Sequence, residues 1–248
     1  FEKKSIFFSE RDKEFTHLEE ENRLEEIKKE SAKLIRELEE LSYDELFKRS
    51  KSKWKEYFDK SKIDIGTDDN YIKTSINFAL YHLRIMVKAD DNRVGIGAKA
   101  LSGEGYKGHS FWDTELFILP YFTYTHPEIA RTLLEYRYHN LYGARIKAKE
   151  NGYEGAMYPW ECAWVDDGEV TPLYMGADIV TGEITKVWTG LIEHHITADI
   201  VYAIDNYYRV TNDNDYMERY GYEIIFEAAL FWASRLEYIA DKDRYEIR

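Results

Sequence analysis

The sequence predicts an all-α fold interrupted by two long, shaped loops. Three observations carry that prediction: apolar residues recur at helical spacing over several stretches, no strand-type alternation extends far, and glycines concentrate in two regions.

From about Asp12 to Lys60 the chain is dense in charge, with Leu24, Ile27, Leu34, Leu38 and Leu41 at helical spacing. The Glu19–Glu21 and Lys28–Glu30 runs fit the solvated face of amphipathic helices, and Ser42 with Glu45 three residues on forms a capping box. Residues 1–60 are therefore expected to be a helical linker preceding a domain at 61–248. After Thr67-Asp68, the residues Ile72, Ile76, Ala79, Leu83 and Val87 form one apolar stripe that stops near Lys88–Asp91. Five glycines between Gly95 and Gly108 exclude a regular helix there. Phe111 to Tyr124 is apolar and helical, and Pro127 suits the first turn of a helix running toward Glu150. Residues 151–190 are irregular, and helices resume from Leu191 through Tyr208 and from Asp215 to about Ile239.

Helical bundles rarely need loops of roughly 20 residues or more, so both long loops point to function. Long helices with large site-forming loops have the shape of an (α/α) toroid. About six or seven helices are legible, half of those in a closed (α/α)6 barrel. A partial (α/α)6 barrel behind an N-terminal helical linker is the expected architecture.

Composition narrows the function classes. Of the 248 residues 44% are hydrophobic and 16% aromatic, enough for a packed core. The net charge of −13 repels phosphate backbones and argues against nucleic-acid binding. Cys162 stands alone, which excludes an intramolecular disulfide and suits a reducing, cytoplasmic compartment; it is expected to be a small buried residue. No stretch has the length of a membrane-spanning helix, and Phe1–Lys4 is neither a signal peptide nor a Met start, so the chain is expected to begin inside a longer protein. The glycine loop lacks the preceding strand and the G-K-[ST] ending of a P-loop. No H-E-x-x-H or Cys/His cluster supports a metal, and Asn212–Asp215 lacks the glycine and terminal Glu of a calcium loop, so it is expected to cap the next helix. His194, His195 and Asp199 fit structural helix-face residues better than a ligand set.

Two strings carry chemistry. Gly108-His109-Ser110-Phe111-Trp112-Asp113-Thr114-Glu115 joins the glycine loop to an apolar helix, placing carboxylates near a helix start. Met157-Tyr158-Pro159-Trp160-Glu161 repeats the Trp–carboxylate arrangement in the second loop. A tryptophan platform beside a carboxylate is suited to a sugar, whose C–H face stacks while its hydroxyls donate hydrogen bonds.

The sequence resembles family 65 glycoside hydrolases. The resemblance rests on Gly103–Glu115, on Tyr136-Arg137-Tyr138-His139 with Gly143-Ala144-Arg145, on Lys149–Glu161, on Thr171-Pro172 and on Glu193–Ile200. It implies an (α/α)6 barrel preceded by a β-sandwich, and inverting phosphorolysis of an α-glucosyl disaccharide such as maltose, kojibiose, nigerose or trehalose to β-glucose 1-phosphate and a free sugar. Inorganic phosphate would be the co-substrate and no cofactor or metal is implied. Trp112 and Asp113 would hold the transferred glucose, Trp160 and Glu161 would lie along its boundary with the acceptor site, and Trp188 and Thr189 would shape that site. The resemblance places the general acid, a Glu, beyond Arg248, so no catalytic residue is assigned within the chain. It further implies a homodimer completed by the rest of the same protein. An α-glucoside hydrolase of the acid trehalase type and an inactive sugar-binding fragment are the alternatives. Ala100 departs from the pattern where glycine is expected, and residues 164–189 are more individual than the motifs around them.

Overall fold

The computed structural model describes residues 3–100 and 103–247; Leu101 and Ser102 of the glycine loop, with Phe1, Glu2 and Arg248, lie outside the described residues. The chain divides into two compact units, residues 1–62 and 63–248.

In the first unit, α1 (Glu20–Glu39) and α2 (Tyr43–Ser61) are joined by a two-way cap. The Glu45 N–H donates to Ser42 Oγ at 3.3 Å while the Ser42 N–H donates to Glu45 Oε2 at 2.8 Å. Lys4 Nζ donates to the carbonyls of Leu38 and Leu41 at 2.7 Å each, closing the C-terminal end of α1. Phe15 is a buried ring of this unit, with Phe8 edge-on at 5.5 Å.

The second unit holds α3 (Asn70–Ile85), α4 (Leu119–Thr125), α5 (Pro127–His139), α6 (Leu141–Glu150), α7 (Thr189–Ile192), α8 (Ile196–Thr211), α9 (Asn214–Tyr216) and α10 (Tyr222–Ser234). Helix α8 is central, packing on α4, α5 and α10. Its buried face, Ile196, Ile200, Ala203, Ile204 and Tyr207, recurs every three or four residues and meets Leu119, Phe122, Leu133, Leu134 and Ile224 in one core. Pro127 opens α5 as expected, and Asp213 accepts from the Tyr216 N–H, so Asn212–Asp215 is a capping turn.

The structure corrects four sequence expectations. The helix begun at Asp215 ends at Ser234, and Leu236–Ile239 is strand β3, paired antiparallel with β4 (Arg244–Ile247) in the register Leu236↔Ile247. Period-two alternation over only four residues is too short a signal to displace a helical reading. A second hairpin, β1 (Tyr174–Ala177) with β2 (Ile184–Lys186), rises from the 164–189 stretch. Asn140 divides the helix expected from Pro127 to Glu150 into α5 and α6. Along α3 the predicted stripe is covered only toward its end, with Val87 buried while Ile72 and Ala79 are exposed.

Two π-helical turns interrupt the regular helices, Thr114–Ile118 directly after Asp113 and Met217–Gly221 before α10. Residues 155–157 run against α10 and α6, with the Ala156 N–H donating to Glu227 O at 3.1 Å and the Met157 N–H to Ala144 O at 3.0 Å. Gly155 permits this approach, because a Cβ there would stand 2.2 Å from Glu227 O and the backbone adopts φ +65°. Gly155→Ala is expected to destabilise the full-length protein by about 2–4 kcal/mol through overpacking and backbone strain, read as a lowered denaturant midpoint; an unchanged midpoint would show that the loop shifts freely off α10.

Candidate functional site

The two Trp–carboxylate strings lie side by side. Ser110 and Cys162 form an isolated antiparallel bridge, each N–H donating to the other's carbonyl at 2.9 and 3.0 Å. Around this bridge His109 Nδ1 lies 2.7 Å from Glu161 Oε1, and the Phe111 and Trp160 rings meet edge to face at 5.9 Å. The first string reaches the bridge through a tight turn in which Tyr106, Lys107 and Gly108 all have left-handed backbone, φ 61°, 54° and 78°. Ala100 also adopts φ 50°, which gives the physical reason that glycine is expected there.

Below the bridge sits Arg137 of α5. Its Nε and Nη2 donate to the two oxygens of Glu115 at 2.7 Å each, Nη2 also donates to Phe111 O at 2.9 Å, and Nη1 contacts Cys162 Sγ at 3.1 Å. Both side chains of the pair are 1% exposed. Burial disfavours the guanidinium charge, but Glu115, together with Cys162 and Tyr136, offsets this and holds the Arg137 pKa well above its ordinary value. The Tyr158 hydroxyl donates to the Arg137 carbonyl at 2.9 Å, so the second string rests on the same residue.

The tip of the second string is held separately. Glu169 Oε2 accepts the Trp160 N–H at 2.8 Å, and Oε1 accepts the Glu161 N–H at 3.2 Å, the Thr171 N–H at 3.1 Å and the Thr171 hydroxyl at 2.7 Å. Lys147 of α6, with its side chain 3% exposed, makes a close ion pair with Glu169.

His195 stands where both tryptophans converge. Its ring is edge-on to Trp112 at 4.7 Å and to Trp160 at 6.2 Å, and its Nδ1 lies 2.5 Å from Asp199 Oδ2. The neighbouring His194 is pushed down to about 4, chiefly by burial and then by Arg235 and Lys147. Asp113 is solvent-exposed and makes no helix-capping bond; with His82, Gly97, Lys99 and Thr114 it lines a cavity of about 370 Å³ under the glycine loop. Trp160 and Glu161 do not line that cavity. Trp188 is half exposed, with Lys186 Nζ 4.2 Å from its ring centroid, and Thr189 opens α7.

The structure thus brings Trp112, Trp160 and Glu161 into one constellation and sets Asp113 at the adjoining cavity, while Trp188-Thr189 stand at the start of α7, whose Gly190 packs against Thr171 and Glu169. His195, expected to be a structural helix-face residue, stands beside both tryptophans, and Arg137, Lys147 and Glu169 are supporting residues to which sequence reasoning assigned no role. A signal for two of them existed. Arg137 falls on the stripe of Ala130, Leu133 and Leu134, and Lys147 on that of Leu141, Ala144 and Ala148, where a cation is out of place unless paired.

Cys162 is buried and its thiol is pushed up to about 11 by that burial. The thiolate is the reactive form, so native Cys162 is expected to resist iodoacetamide at pH 8 and to label only on unfolding. A raised folded pKa favours the protonated thiol, so its contribution to stability falls as pH rises above the unfolded value of about 8.5. Rapid native labelling at pH 8 would contradict the burial.

Residues 77–248 match the model of the glycosyl hydrolase family 65 central catalytic domain. A kojibiose phosphorylase from Halothermothrix orenii is 56% identical over 83% of this chain and 26% of that protein. A kojibiose hydrolase from Flavobacterium johnsoniae is 41% identical over 73% of this chain and 24% of that protein. A solved structure from the human microbiome, assigned as a kojibiose phosphorylase, superposes with a TM-score of 0.78 at 28% identity, covering 90% of this chain and 28% of that one. The chain spans about a quarter of the length of the curated relatives it matches. With a match over residues 77–248, which include both Trp–carboxylate strings, the chain belongs to glycosyl hydrolase family 65.

Proposed function

We propose that this chain supplies the glucose-binding part of an inverting disaccharide phosphorylase, within an (α/α)6 barrel completed by the rest of the protein. The observation that carries the reading is the Ser110–Cys162 bridge, which sets Trp112-Asp113 beside Trp160-Glu161. Two tryptophans then meet His195 from separate loops, with Glu161 beside them and Asp113 at the adjoining cavity, an arrangement suited to a ring that is apolar on its faces and hydroxylated on its rim. Kojibiose is the favoured substrate, on the 56% identity to a kojibiose phosphorylase.

In this mechanism Trp112 stacks on the transferred glucose and Asp113 accepts hydrogen bonds from its hydroxyls. Trp160 and Glu161 border the acceptor sugar, and Trp188 and Thr189 shape its far side. A carboxylic acid protonates the departing glycosidic oxygen while inorganic phosphate attacks the anomeric carbon from the opposite face, giving β-glucose 1-phosphate. Phosphate arrives as an anion, so no second carboxylate is needed as base. Glu115 is not assigned the acid, because both of its oxygens are engaged by Arg137; neither is Glu161, which faces His109. The acid is assigned to a Glu outside positions 1–248. No cofactor or metal takes part.

The 41% identity to a kojibiose hydrolase favours one second reading, in which water replaces phosphate. Incubating the full-length protein with kojibiose separates the two. Release of glucose 1-phosphate only when phosphate is present is the expected result, and release of glucose without phosphate would establish the hydrolase. In the same assay Asp113→Ala is expected to lower kcat/KM by about 100-fold or more, the scale of losing charge-assisted hydrogen bonds to two hydroxyls. Near-normal kinetics would remove Asp113 from the site.

A further inference from the structure

Two buried ion pairs hold the two strings, and they hold different parts. Arg137–Glu115 fixes the Phe111 backbone just before Trp112-Asp113. Lys147–Glu169 fixes the other string, since the N–H groups of Trp160 and Glu161 both donate to the Glu169 side chain rather than to another backbone segment. Two successive N–H groups caught by one carboxylate set the peptide plane between them, and with it the directions in which the Trp160 and Glu161 side chains leave the chain. The same carboxylate binds the Thr171 N–H and hydroxyl. Helix α7 presses on this point as well: a Cβ at Gly190 would lie 2.9 Å from Thr171 Cβ and 3.1 Å from Glu169 Cδ. Trp160-Glu161 and Trp188-Thr189 therefore share one support. A carboxylate 17% exposed and bonded to four donors keeps its place only with a counter-charge, which Lys147 provides.

We propose that the Lys147–Glu169 pair is a positioning device that sets recognition of the second sugar, the acceptor, at the outer edge of the site. The proposal rests on the sugar-binding reading above and assigns to this pair the register between the Trp160-Glu161 tip and α7. Neither Lys147 nor Glu169 is a catalytic residue; both act through the residues they carry.

Three variants of the full-length protein test it. Glu169→Gln keeps the volume but replaces one acceptor oxygen by a donor, so the Trp160 and Glu161 N–H groups cannot both be satisfied. Lys147→Met removes the counter-charge, and Gly190→Ala leaves both charges in place while displacing Glu169 from α7. In the synthetic direction, with β-glucose 1-phosphate and glucose, each variant is expected to raise KM for the acceptor glucose by about 10-fold, while KM for β-glucose 1-phosphate stays within about twofold. Parallel calorimetric titrations with glucose and with kojibiose, and thermal unfolding curves, accompany the kinetics. Losses that fall equally on both KM values, or that track lowered melting temperature across the three variants, would reduce the pair to a structural role and overturn the proposal. If the wild-type protein shows no phosphate-dependent reaction, the phosphorylase reading fails. Calorimetry then decides the positioning proposal: weaker kojibiose binding by all three variants at unchanged melting temperature supports it, and unchanged binding, weakening that tracks melting temperature, or no kojibiose binding by the wild type overturns it.

Discussion

Arg137 is a cation enclosed in the core, and the two strings that carry tryptophan and carboxylate are assembled on it. A buried guanidinium is tolerable only when its donors are met, and here they are met by the first string and by the residue that follows the second: both oxygens of Glu115, the carbonyl of Phe111 and the sulfur of Cys162. The planar fork of Arg fixes direction as well as distance, so the register of the Ser110–Cys162 bridge follows from where α5 places residue 137. Removing either charge would leave the other buried and unpaired, a cost of about 3–5 kcal/mol, far more than the bridge hydrogen bonds return.

A division of labour follows from this arrangement. Helices α5 and α6 give their buried faces to the core, yet they also send charged residues to the two strings, Arg137 to the first and Lys147 to the second. Irregular backbone cannot satisfy its own N–H groups, so the side chains of Glu169 and Asp167 do so in place of a ladder. His195, at the start of α8, closes the arrangement by standing edge-on to Trp112 and Trp160 together.

Much of this was legible in the sequence, and the failures have physical causes. The capping box at Ser42 and Glu45, the Pro127 helix start and the Asn212–Asp215 turn were readable because each depends on residues within four positions. The Trp–carboxylate strings were visible as strings, but their adjacency was not, because Ser110 and Cys162 pair across 52 positions through a bridge without flanking strands. The β3–β4 hairpin was missed because Leu236–Ile239 alternates too briefly to stand out against the helix before it. Glu169 was missed for a different reason: a carboxylate in a polar stretch looks solvated until Lys147 is found behind it. Arg137 and Lys147, by contrast, sat on apolar stripes in plain view.

The central claim is that the bridged strings form one sugar site, and a crystal structure of the full-length protein with bound glucose or kojibiose tests it most directly. The account predicts a glucose ring stacked on Trp112, with hydroxyls within hydrogen-bond distance of the Asp113 carboxylate and the second ring bordered by Trp160 and Glu161. Sugar density elsewhere, with both strings unoccupied at saturating ligand, would contradict it.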